Sequence, residues 1–137
     1  MGAQTSLGLL ITTGILERFP KIQVGLIETS AGWLPSFLER LDAVYAQHRW
    51  LGSTELRMLP SEYFKRQVKI SVDRELFGIK YRDFIGADAL MFGTDFPHVG
   101  SFYPHTRHFI DLVFNGVPED ETQRILWDNA ARLYGVD

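Results

Sequence analysis

Ala89-Leu-Met-Phe-Gly-Thr-Asp-Phe-Pro-His98 is the stretch on which the reading of this chain turns. The apolar run from Ala89 to Phe92 is too short for a free-standing helix and suits a buried strand. Gly93 and Thr94 lead the chain out of that strand, and Pro97, with no N–H to donate, blocks further sheet pairing. Asp95 is thereby set just past the C-terminal end of a buried strand, where parallel α/β proteins present their reactive groups. A carboxylate in that place either does chemistry or caps the loop or the next helix, and the local pattern admits both.

The flanking sequence alternates between two periods. Leu7, Leu10, Ile11, Ile15 and Leu16 recur at helical spacing over residues 4–18, a helix weakened by Gly8 and Gly14 and ended by Phe19-Pro20. Residues 22–27 form a β-branched-rich run that predicts a strand ending at Glu28, with Thr29-Ser30-Ala31-Gly32 as the turn. A helix starts near Trp33, with Pro35 in its first turn where a missing N–H is harmless, and carries the stripe Trp33, Phe37, Leu38, Leu41, Val44 and Tyr45. Residues 47–60 are polar and loop-like. Arg49 and Arg57 there either meet an acidic substrate or are solvated loop charges.

Pro60-Ser61-Glu62 opens a new element, and Val68-Lys-Ile-Ser-Val72 predicts a strand. Phe77, Tyr81, Phe84 and Ile85 return to helical spacing up to Gly86. Residues 104–115 predict a helix with Phe109, Leu112 and Val113 inward and Gly116 at its end. Pro118, the acidic residues Glu119, Asp120 and Glu121, and Gly135 bound the last helix. Such alternation implies parallel strands joined by right-handed crossovers. No internal repeat or linker divides the chain, so residues 1–137 are expected to form one unit.

Composition excludes several classes. A net charge of -3 offers no basic field for nucleic acid. The absence of cysteine rules out disulfides, thiolate metal sites and a cysteine nucleophile. No glycine-rich phosphate loop follows a strand, so no nucleotide cofactor is expected. Leu7 to Thr13 is too short an apolar run to cross a bilayer, and Met1-Gly-Ala-Gln-Thr-Ser lacks the charged start of a signal peptide, so no membrane partner and a cytoplasmic location are the expectation.

Three stretches carry a family resemblance. Leu90-Met-Phe-Gly-Thr-Asp-Phe-Pro-His98 resembles the last-strand motif of the amidohydrolase superfamily, in the branch related to aminocarboxymuconate-semialdehyde decarboxylase. Residues 19–42 look like that family's sixth strand and the helix after it, and Ile125-Leu-Trp-Asp-Asn-Ala-Ala-Arg-Leu-Tyr-Gly135 is similar to its closing helix. The resemblance spans nearly the whole chain but only the second half of the family pattern. It implies the C-terminal half of a (β/α)8 barrel, in keeping with a chain of 137 residues against the roughly 250 of a complete barrel.

It further implies a divalent metal, zinc with manganese as the alternative, and a small-molecule substrate of the carboxylate or amide/ester class. The implied reaction is hydrolysis or carbon–carbon cleavage. Asp95 is the implied metal ligand or proton shuttle. Complete members carry a His-x-His pair on strand one and a histidine on strand five, which this sequence lacks. Glu28 stands where many have a histidine; a carboxylate there can bind metal or accept a proton but cannot act as a cationic electrophile.

Parallel strands would bring Glu28, Asp73 and Asp95 to one edge, where carboxylates raise one another's pKa and a cation relieves the repulsion. Asp95 is the candidate ligand or base, and Glu28 a second catalytic carboxylate. Asp73 joins them or caps the helix that follows. His98 shuttles protons or holds a substrate carboxylate, or is a loop residue bonded to backbone. Trp33 and Phe96 are the candidate substrate-binding surfaces. His105 and His108 share an i, i+3 spacing but lack the glutamate of zinc helix motifs. Asn129 is expected to tie its helix to a loop from a buried position.

A half-barrel leaves two strand edges open, so a homo-oligomer or pairing with an N-terminal half-barrel is expected. A non-catalytic interaction module or truncated remnant is the alternative. A small doubly wound α/β domain sharing the motif is the third.

Overall fold

Residues 2–48 and 55–136 are described by the computed structural model of the protein, and Arg49 lies outside them. The helical spacing at the N-terminus yields α1 (Gly2–Thr12) and α2 (Ile15–Arg18). The single helix expected there is broken because Gly14 takes a left-handed backbone at φ 75°, which glycine adopts without penalty. Then come β1 (Val24–Leu26), α3 (Leu34–His48), α4 (Pro60–Gln67) and β2 (Val68–Val72). Pro60 opens α4, and Glu62 Oε2 accepts the Leu59 N–H at 2.7 Å, half of a capping box.

The segment predicted as one helix up to Gly86 is two short ones, α5 (Phe77–Lys80) and α6 (Arg82–Ile85). A 3-10 turn leads into β3 (Leu90–Phe92), followed by α7 (Thr106–Val113). The last helical segment runs through α8 (Glu119–Gln123), a π-helical stretch at Arg124–Asp128, and α9 (Asn129–Tyr134).

The three strands form a parallel sheet in the order β1-β2-β3. Leu26 pairs with Ile70 and Val72 with Phe92, so all three C-terminal ends come out on one edge. Val68, Ile70 and Val72 of β2 are buried, as are Leu90, Leu7, Ile11, Leu16, Leu34, Tyr63, Phe64 and Ile125, and these side chains belong to one core. Each such large side chain contributes about 1.5–3 kcal/mol when fully buried.

Val44 and Leu112, expected to face inward, are instead 42% and 65% exposed. On α3 the line packed on the core runs through Leu34, Leu38, Leu41 and Tyr45, which leaves Val44 beside it on the solvent side. On α7 the buried line ends at Val113 and Phe114, which leaves Leu112 on the solvent side.

The N-terminal end of the sheet is closed by amides. Gln67 is fully buried, and its Nε2 donates to the carbonyls of Phe19 at 3.0 Å and Ile22 at 3.2 Å. Its Oε1 accepts from Arg66 Nε at 2.8 Å, while Arg66 Nη2 donates to the Leu16 carbonyl at 3.0 Å. Asn129, also fully buried, donates to the carbonyls of Ala87 at 2.9 Å and Leu90 at 2.8 Å, as the sequence predicts. These bonds hold β1 beside β2 and the last helix under β3. No helix among the described residues is long and apolar enough to cross a membrane.

Candidate metal centre

Two residues past β1 and three past β3, the backbone does the same unusual thing. Glu28 has φ 56° and Asp95 φ 57°, both left-handed, and Ser30 follows at φ 55°. Asp tolerates that region better than most residues; Glu has no such aptitude. Glu28 is held by its N–H, which donates to Ser71 Oγ on β2 at 2.8 Å. Ser71 in turn points its hydroxyl at Asp73 Oδ2, 3.5 Å away.

These backbones bring Glu28, Asp95 and His98 together: one ligand atom from each lies within 4.8 Å of the others. His98 Nδ1 stands 2.6 Å from Asp95 Oδ1, and the turn is closed by the His98 N–H donating to the Asp95 carbonyl at 2.9 Å. Arg74 Nη2 approaches the other oxygen, Asp95 Oδ2, at 3.8 Å. The Asp95 side chain is 12% exposed and that of His98 69%, so the carboxylate forms the floor and the imidazole the rim.

The hydrogen bond from His98 holds the Asp95 carboxyl below the usual carboxylate range despite the opposing effect of burial. The same bond, with the charges of Asp95 and then Glu28, raises His98. Asp73 is pushed up, first by burial and then by the charge of Asp95, against the pull of Ser71 and Arg74. Elevation by a neighbouring carboxylate thus reaches Asp73, where it is secondary to burial, and not Asp95, which the His98 hydrogen bond holds down against burial.

The other candidates sort clearly. Asp73 does not cap the helix after β2: the N-cap of α5 is Leu76, which has no side-chain cap. Trp33 is half-buried, its indole N–H donating to the Thr29 carbonyl at 3.0 Å and its ring edge-on to Phe37 at 5.2 Å. Phe96 is 61% exposed, with its ring 5.1 Å from Tyr103. His105 is the N-cap of α7, and neither it nor His108 joins the cluster. His48 is exposed, and Arg57 pairs with Glu17 at 3.2 Å. A cleft of about 620 Å³ lies beside α3, lined by Pro35, Leu38, Lys65, Tyr81 and Phe84 among others, and contains none of the cluster.

Sequence reasoning missed Ser71, Arg74 and Glu75. Ser71 alone left a trace, as a polar residue in a buried strand.

Two carboxylates and one imidazole suit zinc or manganese, and three protein donors leave positions open for water or substrate. Asp95 sits at the floor with its charge preserved at neutral pH, as a ligand must. The cluster therefore fits a divalent cation, which Glu28, Asp95 and His98 would hold.

The sequence pattern of the family described as Amidohydrolase matches residues 3–136. The chain belongs to that family. It superposes on 5-carboxyvanillate decarboxylase from Sphingomonas paucimobilis with a TM-score of 0.81 and 25% identity, over 97% of this chain and 39% of that one. An amidohydrolase from Mycobacterium avium subsp. paratuberculosis matches with a TM-score of 0.83 and 23% identity, over 98% and 33%. A dihydroxybenzoic acid decarboxylase from a Polaromonas species, solved with bound manganese and the inhibitor 2-nitroresorcinol, matches at 0.76 and 20%, over 97% and 40%. No curated protein matches the chain. The chain spans 33–40% of the length of these structures, and its fold is a partial (β/α)8-type barrel.

Proposed function

We propose that residues 1–137 act as the C-terminal portion of a metal-dependent amidohydrolase-like enzyme that cleaves a small carboxylate, by loss of carbon dioxide or by hydrolysis. The observation that carries this reading is the convergence of Glu28, Asp95 and His98 within 4.8 Å at the C-terminal edge of the sheet. Glu28, Asp95 and His98 would hold the cation, with manganese tested first because of the oxygen-rich donor set and zinc second. A divalent ion there supplies Lewis acidity, polarising a substrate carboxylate or lowering the pKa of water toward neutrality.

The chain's own residues manage the proton. In carbon–carbon cleavage the bond to the carboxylate breaks, its electron pair stays on the carbon left behind, and that carbon takes a proton from Asp73, whose carboxyl is pushed up first by burial and which stands outside the three residues that would hold the cation. In hydrolysis the Asp95 carboxylate oxygen left free by the cation would accept the proton of the attacking water. Phe96 and Trp33 offer aromatic surface for the substrate. The parallel match of decarboxylase folds and the carboxylate class of their substrates support this choice of substrate.

A second requirement follows from the open sheet. Among the described residues β1 and β3 each have one strand neighbour, and Ile27 and Phe84 are 46% and 70% exposed. Residues from another half-barrel or a second copy would cover them and supply the ligands this sequence lacks.

Titration of the protein with Mn²⁺, followed by loss of the free-ion electron paramagnetic resonance signal, tests the reading. One ion bound per chain, and binding lost in Asp95→Ala, is the expected result; carbon dioxide release from hydroxybenzoates is then assayed. A signal undiminished by stoichiometric protein would sink the proposal.

A further inference from the structure

Glu75 lies in the loop after β2, yet its carboxylate serves the loop after β1. Its Oε1 accepts the N–H of Ala31 in a short bond, and its Oε2 accepts the N–H of Gly32 at 2.8 Å. The side chain folds back into a slot that exists only because two positions have no side chain. A Cβ on Gly32 would stand 2.9 Å from Glu75 Oε2. One on Gly78 would stand 2.9 Å from Oε1 and 2.7 Å from Val72 Cγ1. The carboxylate thus occupies one defined place between the two loops.

The loop it grips is the strained one. Glu28 and Ser30 both hold left-handed backbones, at φ 56° and 55°, and such residues keep that geometry only when their surroundings over-determine it. Ser71 Oγ fixes the upstream end through the Glu28 N–H. The downstream end is fixed by Glu75 through Ala31 and Gly32. A carboxylate accepting two backbone N–H groups is among the stronger polar clamps, and residues behind metal ligands set ligand orientation.

We infer that Glu75 is a positioning residue for Glu28, holding the loop in the conformation that brings the Glu28 carboxylate up to Asp95 and His98. The inference rests on the metal-site reading proposed above, and it adds a residue that touches none of the three.

Glu75→Gln keeps the shape but sets an amide NH₂ against a backbone N–H, removing one of the two bonds. Mn²⁺ affinity is expected to fall about tenfold, the lower end of the range for residues supporting a metal ligand. In a Glu28→Gln background the same change should have no further effect, because Glu75 acts through Glu28; a residue serving only general stability would act equally in both. Amide hydrogen exchange should accelerate at Glu28, Ala31 and Gly32. Glu75→Asp, which retains charge and both oxygens at shorter reach, should fall between the two and serves if Glu75→Gln does not fold. Unchanged Mn²⁺ affinity with faster exchange at Ala31 and Gly32, or an equal loss in the Glu28→Gln background, would overturn the inference. If the unaltered protein takes up no Mn²⁺, the metal reading fails on its own. The positioning role is then decided by Glu28 exchange, which supports it if faster in Glu75→Gln and overturns it if unchanged.

Discussion

The two ends of this sheet treat polar side chains in opposite ways. At the N-terminal end, Gln67 and Asn129 are fully buried and their amide nitrogens are spent on the carbonyls of Phe19, Ile22, Ala87 and Leu90. At the C-terminal end, Glu28 and His98 are exposed, and Asp95 shares its oxygens with a histidine and a loosely placed Arg74. Polar groups committed to backbone fix where strands and helices sit. Polar groups that converge without such commitment retain the capacity to bind something else. A barrel's stability and its chemistry are separated in this manner, one to each end of the strands.

Substitutions at the two ends should therefore move different quantities. Asp95→Ala should weaken Mn²⁺ binding more than about 100-fold, since even residues behind a metal ligand are worth 10- to 100-fold. The urea midpoint should fall only slightly, by what the Asp95–His98 pair, with its imidazole exposed, lends the fold. Asn129→Ala should do the reverse: two buried carbonyls lose their donor, lowering unfolding free energy by about 1–3 kcal/mol in urea denaturation, with Mn²⁺ affinity of the folded protein unchanged. A loss of metal affinity in Asn129→Ala would break the separation.

Proton linkage sharpens it. His98 titrates above its ordinary 6.5 in the fold, so the stability it lends is complete below that value and fades as pH rises through its folded pKa. Asp95 titrates below its ordinary 3.8, lending stability above that value and losing it as pH falls through its folded pKa. The pair supports the fold between those limits. Metal must displace the His98 proton, so Mn²⁺ affinity should climb as pH rises through the His98 pKa and flatten in His98→Gln. Calorimetric titration across that range, beside an NMR titration of the His98 ring, reads both. The smallest effect belongs to Arg74→Gln, which removes a cation 3.8 Å from Asp95 Oδ2. Mn²⁺ binding should tighten by no more than about fivefold, since exposed ion pairs are worth under about 1 kcal/mol.

Much of the architecture was legible because it is periodic. The strand predicted at Val68 to Val72 is β2 to the residue, and the buried tie of Asn129 follows from one polar side chain on an apolar helix face. Glu28 and Asp95 were legible as residues at strand ends, and parallel register brings them together. What stayed hidden depends on contacts between residues far apart in the chain. Gln67 reaches back 48 positions to Phe19, and Glu75 reaches 44 to Ala31; neither has a local pattern to announce it. The depressed pKa of Asp95 stayed hidden for a different reason: the hydrogen bond to His98, three residues on, depends on a left-handed backbone that sequence spacing does not reveal.

Crystals of the protein soaked with Mn²⁺ and measured near the manganese absorption edge test the central claim most directly. The account predicts one anomalous peak enclosed by the Glu28 and Asp95 carboxylates and the His98 ring, with the Asp95–His98 hydrogen bond opened. No peak there, or manganese held instead beside His105 and His108, would contradict it.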